Sequence, residues 1–145
     1  MSLILYSPKH HVTHGTKVEV VAKFLGIDLE LNRIPYADWK SAEHLKRHPL
    51  GKVPVLETPE GCIYESLSII RYLARRSGKL YGGSAAETAQ IDQWLEFTNT
   101  QVQPFLSVVN YAIFGYLPST PEKYEEAKKS LQEVLKIVDS HLEKN

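Results

Sequence analysis

Two stretches of this 145-residue sequence concentrate groups that can do chemistry. The first runs from Tyr6 to Thr16. It holds the hydroxyls of Tyr6, Ser7, Thr13 and Thr16 and the imidazoles of His10, His11 and His14. The histidine spacing permits two ligands to one metal ion, but no cysteine or carboxylate cluster accompanies them, so no metal site is expected. The second is Glu65-Ser66, followed by Ile69, Ile70, Leu73 and Ala74 at helical spacing. A helix that starts there points unpaired backbone N–H groups and the positive end of its dipole outward, where they attract an anion. Ser66 also suits a plain N-cap, a role that stabilises a helix by about 1 kcal/mol. Lys52, just ahead of Val53-Pro54, is a further cation that can contact an anion.

Other reactive types read as structural. Cys62 is the sole cysteine, so no disulfide can close within the chain, which fits a reducing compartment. It falls in a predicted strand and is expected to be a small buried hydrophobe. Arg71, Arg75 and Arg76 crowd six positions, but a solvated helix face is the better reading. The 17 basic and 17 acidic side chains balance, which argues against a nucleic-acid partner, since phosphate neutralisation needs a basic surface. The start, Met1-Ser2-Leu3-Ile4-Leu5-Tyr6, has no basic leader and is too short for a signal peptide. No run of 18 apolar residues is present. A cytoplasmic protein is expected.

The elements that must position these groups follow from periodicity. Leu3 to Tyr6 is a short apolar run that suits a buried strand. Pro8 to Gly15 reads as a loop. From Thr16 to Leu25, Val18, Val21, Ala22 and Leu25 recur at helical spacing, and Gly26 is placed for a left-handed cap. Leu29 to Ile34 alternates as a second strand, so a parallel β-α-β unit is expected. Ala37 to His48 reads as an irregular helical segment. Val53 to Glu57 and Cys62 to Tyr64 form a hairpin about Thr58-Pro59-Glu60-Gly61, where Gly61 supplies the positive φ. A helix then runs to Ser77-Gly78. Beyond Tyr81-Gly82-Gly83-Ser84 the pattern is purely helical. Ile91, Trp94, Leu95, Thr98, Val102 and Phe105 mark one face of a long helix that Pro104 is placed to kink. Leu131, Val134, Leu135, Val138 and Leu142 mark a last helix from Glu122 to Lys144.

The segment His48-Pro49-Leu50-Gly51-Lys52-Val53-Pro54-Val55-Leu56-Glu57, with Ile63-Tyr64-Glu65-Ser66-Leu67-Ser68-Ile69 after it, resembles the glutathione transferase superfamily. A "GKVP" stretch before the third strand and an "ES-x-x-I" stretch after the fourth carry the likeness. Within that superfamily the chain is similar to the gamma subunits of translation elongation factor 1B, with His48 where Asn is usual. Ala86 to Phe97 resembles the first helix of their second domain. The resemblance implies an α/β thioredoxin-like domain (β-α-β-α-β-β-α) over residues 1–79, a linker over 80–84, and a truncated all-helical domain over 85–145. Further helices are expected beyond these, so an exposed apolar surface is expected on the last two.

In this superfamily the proline before the third strand is cis, and the backbone of the residue ahead of it pairs with the cysteinyl unit of glutathione as an added strand. Val53 and Pro54 take those positions. Ser66 and Glu65 would hold the γ-glutamyl carboxylate and amine, with Lys52 as an extra anion contact. A hydroxyl or cysteine near the end of the first strand would lower the thiol pKa. Ser7 lies near the position of serine-type enzymes, and Thr13, Thr16 and His14 are alternatives; Thr16 also suits an N-cap. Trp94, Phe97, Tyr111, Phe114 and Tyr116 are expected in core, inter-domain packing or a homodimer face. The implied function is a scaffold that docks the exchange subunit of elongation factor 1B. The alternatives are glutathione conjugation to small electrophiles and a transferase-like assembly domain of an aminoacyl-tRNA synthetase.

Overall fold

The computed structural model describes residues 2–9, 14–115 and 118–144. The chain divides into two compact units, Met1–Gly83 and Ser84–Asn145.

The first unit is a four-stranded sheet in the order β2-β1-β3-β4, built from β1 (Leu3–Pro8), β2 (Leu29–Ile34), β3 (Val55–Thr58) and β4 (Gly61–Tyr64). β1 and β2 are parallel, joined through α1 (His14–Leu25); the other pairs are antiparallel. The register Leu5↔Leu56↔Ile63 sends these side chains to one face. There they meet Val18, Ala22 and Leu25 of α1 and Ile69 and Leu73 of α3 (Ser66–Ser77) in a single core. The register Tyr6↔Val55↔Tyr64 sends those residues to the opposite face, beneath α2 (Ala42–Arg47). The β-α-β-α-β-β-α order of the thioredoxin-like domain that the resemblance implies is present.

Local chemistry sets the element ends. Gly26 adopts φ +70°, and the Ile27 N–H reaches back to the Ala22 carbonyl at 2.9 Å, closing α1 in a left-handed cap. α1 begins at His14, so Thr16 lies inside its first turn and is not an N-cap. Ser66 is likewise the first helical residue of α3, not its cap. Glu65 holds the cap position with φ 68° and ψ 117° and no side-chain capping bond. Val53 and Pro54 stay off the ladder, which starts at Val55. Cys62 is exposed, contrary to the expectation of burial. It pairs with Glu57 on the α2 face of the edge strand β4, and a six-residue helix is too short to cover it.

The second unit is helical: α4 (Ala85–Phe97), a π-helical turn (Thr98–Val102), α5 (Gln103–Phe114) and α6 (Pro121–Leu142). Within the segment read as a linker, Tyr81 is buried beneath the Arg75 guanidinium. Ser84 caps α4 in a reciprocal box with Glu87. Pro104 has no N–H to return to the preceding turn, and the chain widens just before it: the Gln103 N–H bonds Thr98 O, five residues back. Thr98 and Thr100 hydroxyls donate to the carbonyls of Trp94 and Glu96 at 2.9 and 2.8 Å. Trp94 and Phe97 are half-buried, edge to face at 5.3 Å, but Tyr111 and Phe114 are exposed. Leu135 and Leu142, on the apolar face of α6, are exposed as well. Tyr116 lies outside the described residues. No described helix is long and apolar enough to cross a membrane.

Candidate functional site

The turn from His48 to Pro54 is held by its own polar groups. The Gly51 N–H donates to His48 O at 2.8 Å, and Lys40 Nζ donates to Leu50 O at 2.6 Å. Gly51 adopts φ +57°, and a Cβ there would run into the Trp39 carbonyl, so glycine is required twice over. The Leu50 N–H donates to His48 Nδ1 at 3.0 Å. At the far end His44 Nε2 lies 3.0 Å from Lys52 O, and because a carbonyl only accepts, that nitrogen carries the proton. His44 Nδ1 is then buried with no partner among the described residues.

This scaffold presents Val53. The Val53–Pro54 peptide is cis, as expected. Among the described residues neither the N–H nor the C=O of Val53 makes a backbone hydrogen bond, so an extended ligand can pair with both. The pairing Val55↔Tyr64 brings the two sequence motifs to one end of the sheet: Pro54 precedes Val55, and Glu65-Ser66 follow Tyr64. The positive φ of Glu65 is a conformation that costs a non-glycine residue about 1–3 kcal/mol. Such strain persists where surrounding structure enforces it and where a site uses the geometry. Ser66 is buried at the N-terminus of the twelve-residue α3; Glu65 and Lys52 are exposed.

Electrostatics tie further residues to this corner. Burial pushes the His14 imidazole below its ordinary pKa, with Lys17 acting in the same direction and Glu65 opposing. Burial also lowers His48, where Glu65 again favours the cation and His44 and Lys52 disfavour it. Lys17 is itself lowered by burial. The corner therefore gathers Lys52, Val53, Pro54, Glu65 and Ser66 with His14 and His48.

The hydroxyls of the first strand do not join it. Ser7 is fully buried on the α1 face, and its Oγ accepts from Arg33 Nη1 at 2.6 Å. Arg33 is in turn clamped by both carboxylate oxygens of Glu19 at 2.8 and 2.7 Å. Ser7 is thus an anchor for Arg33 rather than an exposed activator. Tyr6 points to the opposite face, donates to Glu57 at 2.9 Å, and has its pKa raised by burial and by that carboxylate. Thr13, His10 and His11 lie outside the described residues. Among those described, no group of three metal-ligating side chains occurs.

Sequence reasoning did not single out His44 and His48 as props of the turn. His44 lies in α2, and His48 is the extended residue that ends it, its N–H bonded to His44 O at 2.9 Å, just ahead of the Pro-Leu-Gly turn.

Comparison with known proteins bears on this geometry. Residues 13–84 match the family described as "Glutathione S-transferase, N-terminal domain". Along its whole length the chain is 35% identical to "Probable elongation factor 1-gamma 2" of Arabidopsis thaliana and 36% identical to "Elongation factor 1-gamma 3" of Oryza sativa subsp. japonica.

The chain belongs to the glutathione S-transferase superfamily. It spans 36% of the length of each of those two relatives. Among solved structures of the superfamily, poplar glutathione transferase F1 superposes with a TM-score of 0.85 at 25% identity, covering 99% of this chain and 71% of that one. A glutathione S-transferase-I bound with lactoylglutathione gives 0.85 at 26% identity, with 98% and 71% covered. Ure2p in complex with S-hexylglutathione gives 0.88 at 20% identity, covering 99% and 69%, a likeness of fold alone.

Proposed function

We propose that this chain is the transferase-like domain of a translation elongation factor 1B gamma subunit, and that it works in the cytoplasm as a scaffold docking the exchange subunit. The observation that carries the reading is the contrast in identity. The chain is 35–36% identical to elongation factor 1-gamma proteins over its full length, against 25–26% for transferases that superpose with a TM-score of 0.85. On this reading residues 1–79 form the thioredoxin-like domain, 80–84 the linker and 85–145 the start of the helical domain, with a homodimer formed through α3 and α4.

A glutathione-like ligand suits the corner. Val53 would take its cysteinyl unit in β-type pairing, the α3 N-terminus and Ser66 the γ-glutamyl carboxylate, Glu65 the amine, and Lys52 a further carboxylate. Conjugation chemistry is a different matter. Ser7 is buried against Arg33, so thiol activation would fall to Thr13 or to His14 at the start of α1. The second reading, an active transferase, depends on those two residues.

The deciding experiment is co-purification of the chain with the exchange subunit of elongation factor 1B, beside a conjugation assay with a small electrophile. Stoichiometric complex formation with no conjugation above the uncatalysed rate supports the scaffold. Conjugation without complex formation overturns it in favour of the enzyme.

A further inference from the structure

The turn that presents Val53 is fastened by a bond that only a neutral ring can accept. His48 is buried, its ring lies 4.5 Å from that of Tyr64, and its Nδ1 receives the Leu50 N–H at 3.0 Å. With Nδ1 an acceptor, the ring proton sits on Nε2. The other end of the turn is fastened by His44 Nε2–H to Lys52 O. Leu50 to Lys52 are therefore strung between two imidazoles, and only one of the two bonds requires a bare nitrogen.

We propose that His48 is a positioning residue whose protonation releases Leu50 and loosens the Leu50–Pro54 turn, so that the grip of Val53 on an extended thiol peptide weakens as pH falls. The inference rests on reading Val53 as the binding edge. An imidazolium carries N–H on both nitrogens, so a proton at Nδ1 would face the Leu50 N–H, donor against donor. The groups facing the ring are Glu65 at the β4–α3 corner, His44 on α2, Lys52 in the turn and the Tyr64 ring on β4. Burial, His44 and Lys52 oppose protonation; Glu65 and a bond to the residue's own backbone favour it. The bond is thus intact at pH 7.5 and is lost below the ordinary histidine pKa of about 6.5.

The test is an NMR titration of the chain from pH 7.5 to 5.0, following the His48 ring and the amides of Leu50, Gly51 and Val53, with glutathione affinity measured across the same range. In the wild type the Leu50 amide shift should inflect at the pH where the His48 ring titrates. Leu50 protection against exchange, corrected for the intrinsic pH dependence, should fall about tenfold per pH unit below that point. In His48→Asn the side-chain oxygen still accepts but does not titrate, so both quantities should stay flat. As pH drops, glutathione affinity should fall more steeply in the wild type than in H48N; His14, near Glu65, contributes equally to both.

A Leu50 amide that ignores the His48 titration overturns the proposal, and this arm needs no variant. Parallel affinity profiles in the two proteins overturn the link to the ligand. No glutathione binding by either protein at pH 7.5 overturns the binding reading instead, and the amide titration alone then decides the positioning role.

Discussion

In Met1–Gly83 the side chains of Leu5, Val18, Val55, Leu56, Ile69 and Leu73 are fully withdrawn from water, whereas in Ser84–Asn145 Ala127 is the one buried hydrophobic residue among those described. The reason is geometric. A sheet with α1 and α3 on one face and α2 on the other buries side chains on both, so the consecutive residues Val55 and Leu56 are each withdrawn on opposite sides. Three helices joined end to end bury only the stripes that face one another. Val108, Ile113, Leu135, Ile137 and Leu142 consequently remain exposed, as a surface that awaits cover does. The first unit has a core of fully buried side chains; the described part of the second has none of comparable size.

The largest test of this contrast is a pair of truncations. Leu56→Ala empties a fully buried site in β3 and should cost about 2–5 kcal/mol, whereas Ile137→Ala should change stability by less than about 0.5 kcal/mol, both measured by urea denaturation. Equal costs would break the comparison. Next is Gly51→Ala in the turn that carries Val53. A left-handed backbone and a collision with the Trp39 carbonyl together predict a loss of about 2–4 kcal/mol in the same assay. A neutral result would mean the turn is not held as described.

Ser7→Ala removes the buried acceptor of the Arg33 bond and should cost about 1–2 kcal/mol by urea denaturation. Glutathione affinity should be unchanged if Ser7 anchors Arg33, and a loss of affinity with intact stability would return Ser7 to the site. The smallest effect is a pH dependence confined to one unit. His14 and His48 have lowered folded pKa values, so the unfolded state binds more protons between those values and about 6.5, and stability falls as pH drops through that window. In the helical unit Glu122 is lowered by its backbone amide and Thr120 and acts only in the acid range of carboxylates. Residue-resolved amide exchange at pH 7.5 and 5.5 should show β1, β3 and α3 losing protection while α6 does not.

Much of the first unit was legible because its signals are local. Val18, Ala22 and Leu25 announce a buried helical face, and Gly26 announces where it ends. The corner at Val53, Glu65 and Ser66 was legible through motif resemblance, and Ser66 was misplaced by one position because nothing local shows that Glu65 takes a positive φ. Cys62 was misjudged for a different reason: alternation tells which side of a strand a residue takes, but not whether anything covers that side.

Helix and strand positions, the order of elements and the family follow from residue spacing and motif, since periodicity is a property of neighbours along the chain. Burial of Ser7 against Arg33, exposure of Cys62 and the fastening of Leu50 and Lys52 by two histidines were decided only in three dimensions. Each depends on which surface of another element arrives opposite, and that is a property of packing rather than of spacing.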